Sequence, residues 1–255
     1  MSQPTEIDSV PPELPRLRIL HLLLWMVAVS VVMTAYSGLF QDSQDWTILS
    51  GIEFLTTTIP QTIALATLAL GVFWRIKGAN FFDEVGHYLL IVASANLIGT
   101  ITSQMVVTSF SFEEKSFTNS WAYIFLIGAA IWPFAVGVVL LLNGKKAADT
   151  ESWRLFCKVV GIMYLMSPLL FIIPFVYVLY GSAGDGSLIG IFVMLVSLGI
   201  QILWGLLCVV AVREDLASHW QRHWTHWCGV IVWLVVTVSN FVLSIYGNLA
   251  KFLIS

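Results

Sequence analysis

The feature that most constrains this chain is a succession of seven apolar segments, at approximately residues 18–40, 50–74, 86–109, 120–142, 155–180, 187–211 and 227–250. Each is about 20 residues or longer, enough to cross a hydrocarbon core of roughly 30 Å as a helix. Lipid offers the backbone no partners, so a spanning segment must close its own hydrogen bonds and is helical. The polar links are short, which makes consecutive helices antiparallel neighbours. Composition agrees: at 58% hydrophobic and 11% charged, a chain of 255 residues has more apolar surface than a water-soluble fold can hide. The expected fold is therefore all-α, a seven-helix transmembrane bundle over residues 18–255. Residues 1–17 hold four prolines and the acids Glu6, Asp8 and Glu13. They lack the basic start of a signal peptide and are expected to form a disordered cytoplasmic tail.

The basic residues orient the bundle. Arg16, Arg18, Arg75, Lys77, Lys145, Lys146, Arg154, Lys158, Arg213 and Arg222 all fall on one side, against only Lys115 and Lys251 on the other. Ten against two places the N-terminus in the cytoplasm and the C-terminus outside. The expected location is a bacterial-type cytoplasmic (inner) membrane. The partner this implies is the lipid bilayer, and with a net charge of -3 and no basic block, nucleic acid is not expected. A rhodopsin-like arrangement is excluded, because its topology is reversed and Lys251 lies at the end of the seventh segment rather than at its middle.

Polar side chains recur at helical spacing inside four segments. Glu53, Thr57 and Gln61 line the second, and Asn96, Thr100 and Ser103 the third. The sixth carries Ser197, Gln201 and Cys208, and the seventh Thr237, Asn240, Ser244 and Asn248. At 1.5 Å per residue, Gln61, Asn96, Gln201 and Asn240 come out near the bilayer midplane. Lipid would leave these amides unpaired, so all four are expected to face inward, with Thr100 and Ser244, onto a polar interior. No carboxylate, lysine or arginine reaches the midplane, where a proton relay would need one. Glu53 and Lys251 lie near the outer boundary and form a candidate ion pair.

The stretch REDLASHWQRHWTHWC, Arg213 to Cys228, gathers three of the five histidines and three of the eleven tryptophans. Ser218 and Gln221 have capping-box spacing, so the last helix is expected to start at Ser218. His219 and His223, four apart on that helix, could reach one metal ion, whereas His226 lies too far along the axis to join them. A third ligand would come from another helix, and His87, at the same end of the third segment, is the candidate. The tryptophans fit an interfacial anchor.

Two short patches resemble the adiponectin-receptor and haemolysin-III superfamily. Ser218-His219 with His223 is similar to the S-H-x-x-x-H motif of its last helix, and Asp83 followed by Tyr88-Leu89-Leu90-Ile91 is similar to the opening of its third helix. The resemblance implies seven helices with the N-terminus inside, and zinc-dependent hydrolysis of a lipid amide with His219 and His223 as ligands. The family's further histidine near the end of helix two has no counterpart in VFWRIKG.

No P-loop, G-x-S-x-G or H-E-x-x-H motif occurs. The function expected first is a non-catalytic, polar-cored bundle that binds a small or lipid-like ligand and needs no cofactor. The alternatives are a zinc-dependent membrane hydrolase built on His219, His223 and His87, and a small-solute transporter. The candidate ion pair has a direct test. Glu53→Lys should lower the melting temperature in detergent micelles and adding Lys251→Glu should restore it; a double variant no more stable than the single removes the pair.

Overall fold

The computed structural model describes residues 18–40, 48–110, 131–180, 186–218 and 222–254, all helical apart from short links. The described residues form seven helices. Helix α1 is Ile19–Phe40; α2 runs over residues 48–76; α3 is Val85–Phe110; α4 covers residues 131–147. Helix α5 is Glu151–Tyr180, α6 Gly186–Ala217 and α7 Trp224–Ile254. No strand occurs among the described residues. Three stretches, Gly51–Ile76, Leu195–Ala217 and Trp224–Tyr246, are long and apolar enough to cross a membrane, and Ile19–Thr34, Val85–Gly99 and Ile131–Gly144 are shorter apolar helices.

Two boundaries differ from expectation. Helix α6 continues to Ala217, so Glu214 and Asp215 sit on its last turns rather than in a link. Ser218 then closes α6 instead of opening α7: its backbone N–H and its hydroxyl both donate to the Glu214 carbonyl oxygen, at 2.9 and 2.8 Å. The residue before α7 is His223, whose carbonyl accepts from His226 N–H at 3.0 Å and whose Nδ1 accepts from Thr225 N–H at 3.4 Å. An imidazole thus fills the cap position expected of a serine hydroxyl. The reason is competition: Ser218 lies one turn beyond Glu214 and finds its partner backwards, within a helix already formed.

The prolines are accommodated within helices. In α2, Pro60 cannot donate to the preceding turn, and the chain takes a π turn at Phe54–Thr58 directly before it. The backbone of α5 is helical through Pro168 and Pro174.

Helix α3 packs between α2 and α7, α7 also meets α2 and α6, and α5 lies against α6 and the end of α4. Two apolar clusters result. The larger joins Val85, Leu89 and Val92 of α3 to Trp153, Phe156 and Val160 of α5 and to Val230 and Trp233 of α7. The smaller joins Ala64, Phe81, Leu90, Ala93, Val232 and Val236. Between helices in lipid, close packing takes over from the hydrophobic effect, and small residues permit it. A Cβ on Gly229 would overlap the Gly86 carbonyl oxygen, and one on Gly86 would overlap the backbone of His226. Gly137 and Gly161 bring α4 and α5 together in the same way, a Cβ on Gly137 falling 2.8 Å from the Gly161 carbonyl oxygen.

The crossing can be tested against a glycine with room around it. Overpacking typically costs 1–3 kcal/mol, and Gly229→Ala meets backbone that cannot swing aside, so a loss of about 3 kcal/mol or more is expected. Gly205→Ala, where nothing lies within 4 Å, should leave stability unchanged or slightly raised. Unfolding of both variants in mixed micelles provides the comparison; equal stability would remove the backbone contact.

Candidate functional site

One end of the bundle holds a connected set of polar side chains drawn from four elements. Glu84 and His87 stand at the start of α3, and Asp215 on the last turns of α6. Arg222 and His223 lie in the following link, with Thr225 and His226 on the first turn of α7. Trp153 of α5 and Asp149 of the α4–α5 link complete it. The Gly86–Gly229 crossing brings the beginnings of α3 and α7 together, and the closed end of α6 delivers Asp215 beside them.

The histidines can be read atom by atom, because several of their partners are peptide N–H groups, which only donate. Phe82 N–H donates to His87 Nδ1 at 3.3 Å, so the His87 proton is on Nε2 and points at the Thr225 hydroxyl, 2.6 Å away. Thr225 in turn donates to His223 Nδ1 at 2.8 Å. Gly86 N–H donates to His226 Nδ1 at 3.2 Å, which places the His226 proton on Nε2 as well. The His226 Nε2 proton faces Asp215 Oδ2 at 3.7 Å, beyond hydrogen-bond reach. The Phe81 ring stacks on His87 at 4.2 Å. Phe82 has a positive φ of 79°, rare for a side chain of its size. That conformation is held from both sides, by His87 on its N–H and by the Tyr88 hydroxyl, which donates to its carbonyl at 3.0 Å.

Asp215 is fully buried. It is neutralised by Arg222, whose Nε and Nη2 donate at 3.2 and 3.0 Å, and it accepts from Trp153 Nε1 at 2.8 Å. Arg222 Nη1 also reaches the exposed Asp149 at 2.6 Å. A buried charge without such partners would be strongly destabilising. Glu84 is held less completely. Its Oε1 accepts from His223 N–H at 3.3 Å, whereas Oε2 is buried without a hydrogen-bond partner, 3.9 Å from His87 Nε2 and 3.8 Å from His226 Nδ1. Burial raises its pKa to about 7, against the opposing pull of the His223 amide and the Arg222 guanidinium.

His87 and His223 therefore do converge, on the Thr225 hydroxyl, but not as a pair completed by a helical His219–His223 spacing. His223 precedes α7 rather than lying on it, and His219 lies outside the described residues. The Nδ1 lone pairs of His87, His223 and His226 are all engaged by N–H or O–H donors. Among the described residues, no three His, Cys, Asp or Glu side chains are arranged to hold a metal ion.

The polar interior expected from the midplane amides takes a different form. Gln61 is buried on α2, and Asn96 donates to the Tyr164 hydroxyl of α5 at 3.3 Å. Gln201 turns to Ser197 of its own helix at 3.5 Å, leaving its Oε1 buried without a partner. Asn240 is exposed, which corrects the expectation that all four amides face inward, and Ser244 is half-buried. Glu53 is exposed, while the side chains of Thr100 and Lys251 lie outside the described residues. Asn96 and Gln201 thus belong to separate contacts.

Sequence reasoning passed over Glu84, Asp215, Arg222, Thr225 and Trp153. The available signal was positional: two carboxylates flank apolar segments at the end where the histidines gather. Comparison with known proteins finds no matching family model, no similar curated protein and no similar solved structure.

Glu84 makes stability depend on pH. Its folded pKa of about 7 lies above the ordinary 4.5, so between these values the folded state binds more protons than the unfolded one. The contribution of Glu84 to stability should therefore fall as pH rises from about 4.5 to about 7, with no further loss from this group above that. Glu84→Gln, neutral at every pH, lacks this contribution, so the melting temperature of the wild type should fall relative to that of the variant across this window; a difference that stays constant with pH would show that Glu84 does not titrate there.

Proposed function

We propose that all seven helices span a bacterial-type cytoplasmic membrane, with the N-terminus inside, and that the protein is a non-catalytic bundle binding a small polar or lipid-like ligand. The ten-against-two distribution of basic residues supports the orientation. In that frame the histidine and carboxylate cluster lies at the cytoplasmic end, where Arg75, Arg154 and Arg222 also fall.

One observation carries the ligand reading. Glu84 Oε2 and His226 Nε2 are both buried and both lack a hydrogen-bond partner, and they belong to one cluster. Buried polar atoms are satisfied in the great majority of cases, so an orphan acceptor and an orphan donor in one cluster favour a guest that supplies both functions. A hydroxyl or amide does so, whether on a small polar molecule or on the head of a lipid-like one. Asp215, Arg222, Trp153 and His87 are paired internally and serve to hold these two atoms in place.

The zinc hydrolase has one observation in its favour, the convergence of His87 and His223 on a single oxygen. Binding a metal there would require Thr225 to turn away and both rings to exchange their present hydrogen bonds. The transporter reading is weaker, since Asn96 and Gln201 belong to separate contacts and Asn240 faces outward.

Native mass spectrometry and metal analysis of protein purified in mild detergent separate these readings. A non-metal adduct retained by the wild type and lost in Glu84→Ala is expected. Stoichiometric zinc, lost in both His87→Ala and His223→Ala, would replace the ligand reading with the hydrolase. A wild type carrying neither adduct nor metal would defeat both.

A further inference from the structure

The corner where α1 begins and α2 ends carries positive charge that no described residue neutralises. His21, in the first turn of α1, lies edge-on to Trp74 near the end of α2 and stacks on Trp224 at the start of α7, with ring centroids 5.5 Å apart in both cases. Arg18 is tied to the same contact, its backbone N–H donating to His21 Nδ1 at 2.9 Å. The aromatic packing thereby brings Arg18 to the end of α2 that carries Arg75 and Lys77. All three side chains are exposed, and none forms an ion pair among the described residues. Lys77 instead lies over the Phe73 ring, with Nζ 4.3 Å from its centroid. Asp83, exposed in the following link, forms no ion pair with them either.

Two arginines elsewhere at this end are occupied differently. Arg222 is shared by Asp149 and Asp215, and Arg154 turns back onto the carbonyl oxygens of Ala148 and Asp149.

The surface next to the three cations is apolar. Ile19, Leu20 and Leu23 are exposed on α1, and Phe73 and Ile76 are exposed on α2, Ile76 by 80%. Water would penalise such a strip, whereas acyl chains would cover it. A free phosphate would satisfy the cations and leave the strip bare. A molecule with an anionic head and hydrocarbon tails matches both parts.

We propose that this corner binds an anionic phospholipid, with its phosphate among Arg18, Arg75 and Lys77 and its acyl chains along the exposed faces of α1 and α2. The site rests on the membrane reading alone, so failure of the ligand reading at the histidine cluster leaves it standing. Each cation near an anionic headgroup strengthens binding about fivefold.

Native mass spectrometry of the full-length protein in mild detergent, with equimolar phosphatidylglycerol and phosphatidylcholine, tests it. The wild type should retain phosphatidylglycerol in preference by roughly tenfold or more. The triple variant Arg18→Gln, Arg75→Gln, Lys77→Gln should bring the two lipids to parity, and Lys158→Gln, which removes an exposed cation elsewhere at this end, should keep the preference. Millimolar inorganic phosphate should not displace the lipid. Equal retention of both lipids by the wild type overturns the proposal, as does a triple variant with undiminished preference. Displacement by inorganic phosphate would assign the cations to a bare anion and overturn it as well. If the triple variant does not fold, Arg75→Gln alone provides the reading, with a loss of about fivefold expected and no loss counting against the site.

Discussion

The polar end of the protein depends on the contact between Gly86 and Gly229. Because neither residue has a side chain, α3 and α7 meet backbone to backbone at their starts. Only at that separation can Gly86 N–H reach His226 Nδ1, and only then does His223 N–H come within range of Glu84. One helix supplies unsatisfied N-terminal donors and the other supplies the rings that accept from them. Where the atoms are buried and water cannot complete a half-made set of hydrogen bonds, this mutual satisfaction determines how the two helices align.

Asp215 shows how costly chemistry is kept at such a place. A fully buried carboxylate would be untenable alone, but it receives both nitrogens of the Arg222 fork and an indole N–H from Trp153. These partners come from two parts of the chain, so the bonds that neutralise Asp215 of α6 also tie it to α5 and to the entry to α7. Glu214, one residue earlier, accepts Ser152 N–H at 3.3 Å and extends the tie to the first turn of α5. The cluster is held firmly on its Asp215 side and loosely on its Glu84 side, where a carboxylate oxygen has no hydrogen-bond partner.

Hydropathy was sufficient to read the helices, because apolar length is a summed property that no single residue can obscure. The described helix ends fall close to their expected positions, with α6 and the entry to α7 as the exceptions and the start of α4 outside the described residues. Those exceptions share a cause. Arg213 to Ala217 is polar and charged, and so resembles a link, yet each of its residues can continue a helix once the preceding turns exist. The site was half legible. His87 and His223 stood out by type and by position at one end, but Thr225, the atom that joins them, looks like any other threonine. Glu84 and Asp215 were invisible as partners because their meeting depends on how three helix ends are set against one another, which no local pattern encodes. The amides failed differently: depth along each helix was readable from position, but rotation about the axis was not, and Asn240 turned outward.

The π turn of α2 explains one such rotation. Glu53, Thr57 and Gln61 are spaced by four, and along an uninterrupted helix they would form a single stripe. The wider turn at Phe54–Thr58 takes up an extra residue, worth about 100° of α-helical phase, between the first and the last of them. Glu53 accordingly meets the outside while Gln61 is enclosed. Helix α2 is better regarded as two rods joined by a phase step than as one rod. The rod after the step packs against α3 and α7, and the π turn itself meets α7, so the step lets one helix bury a face on one side of the turn and expose the corresponding face on the other.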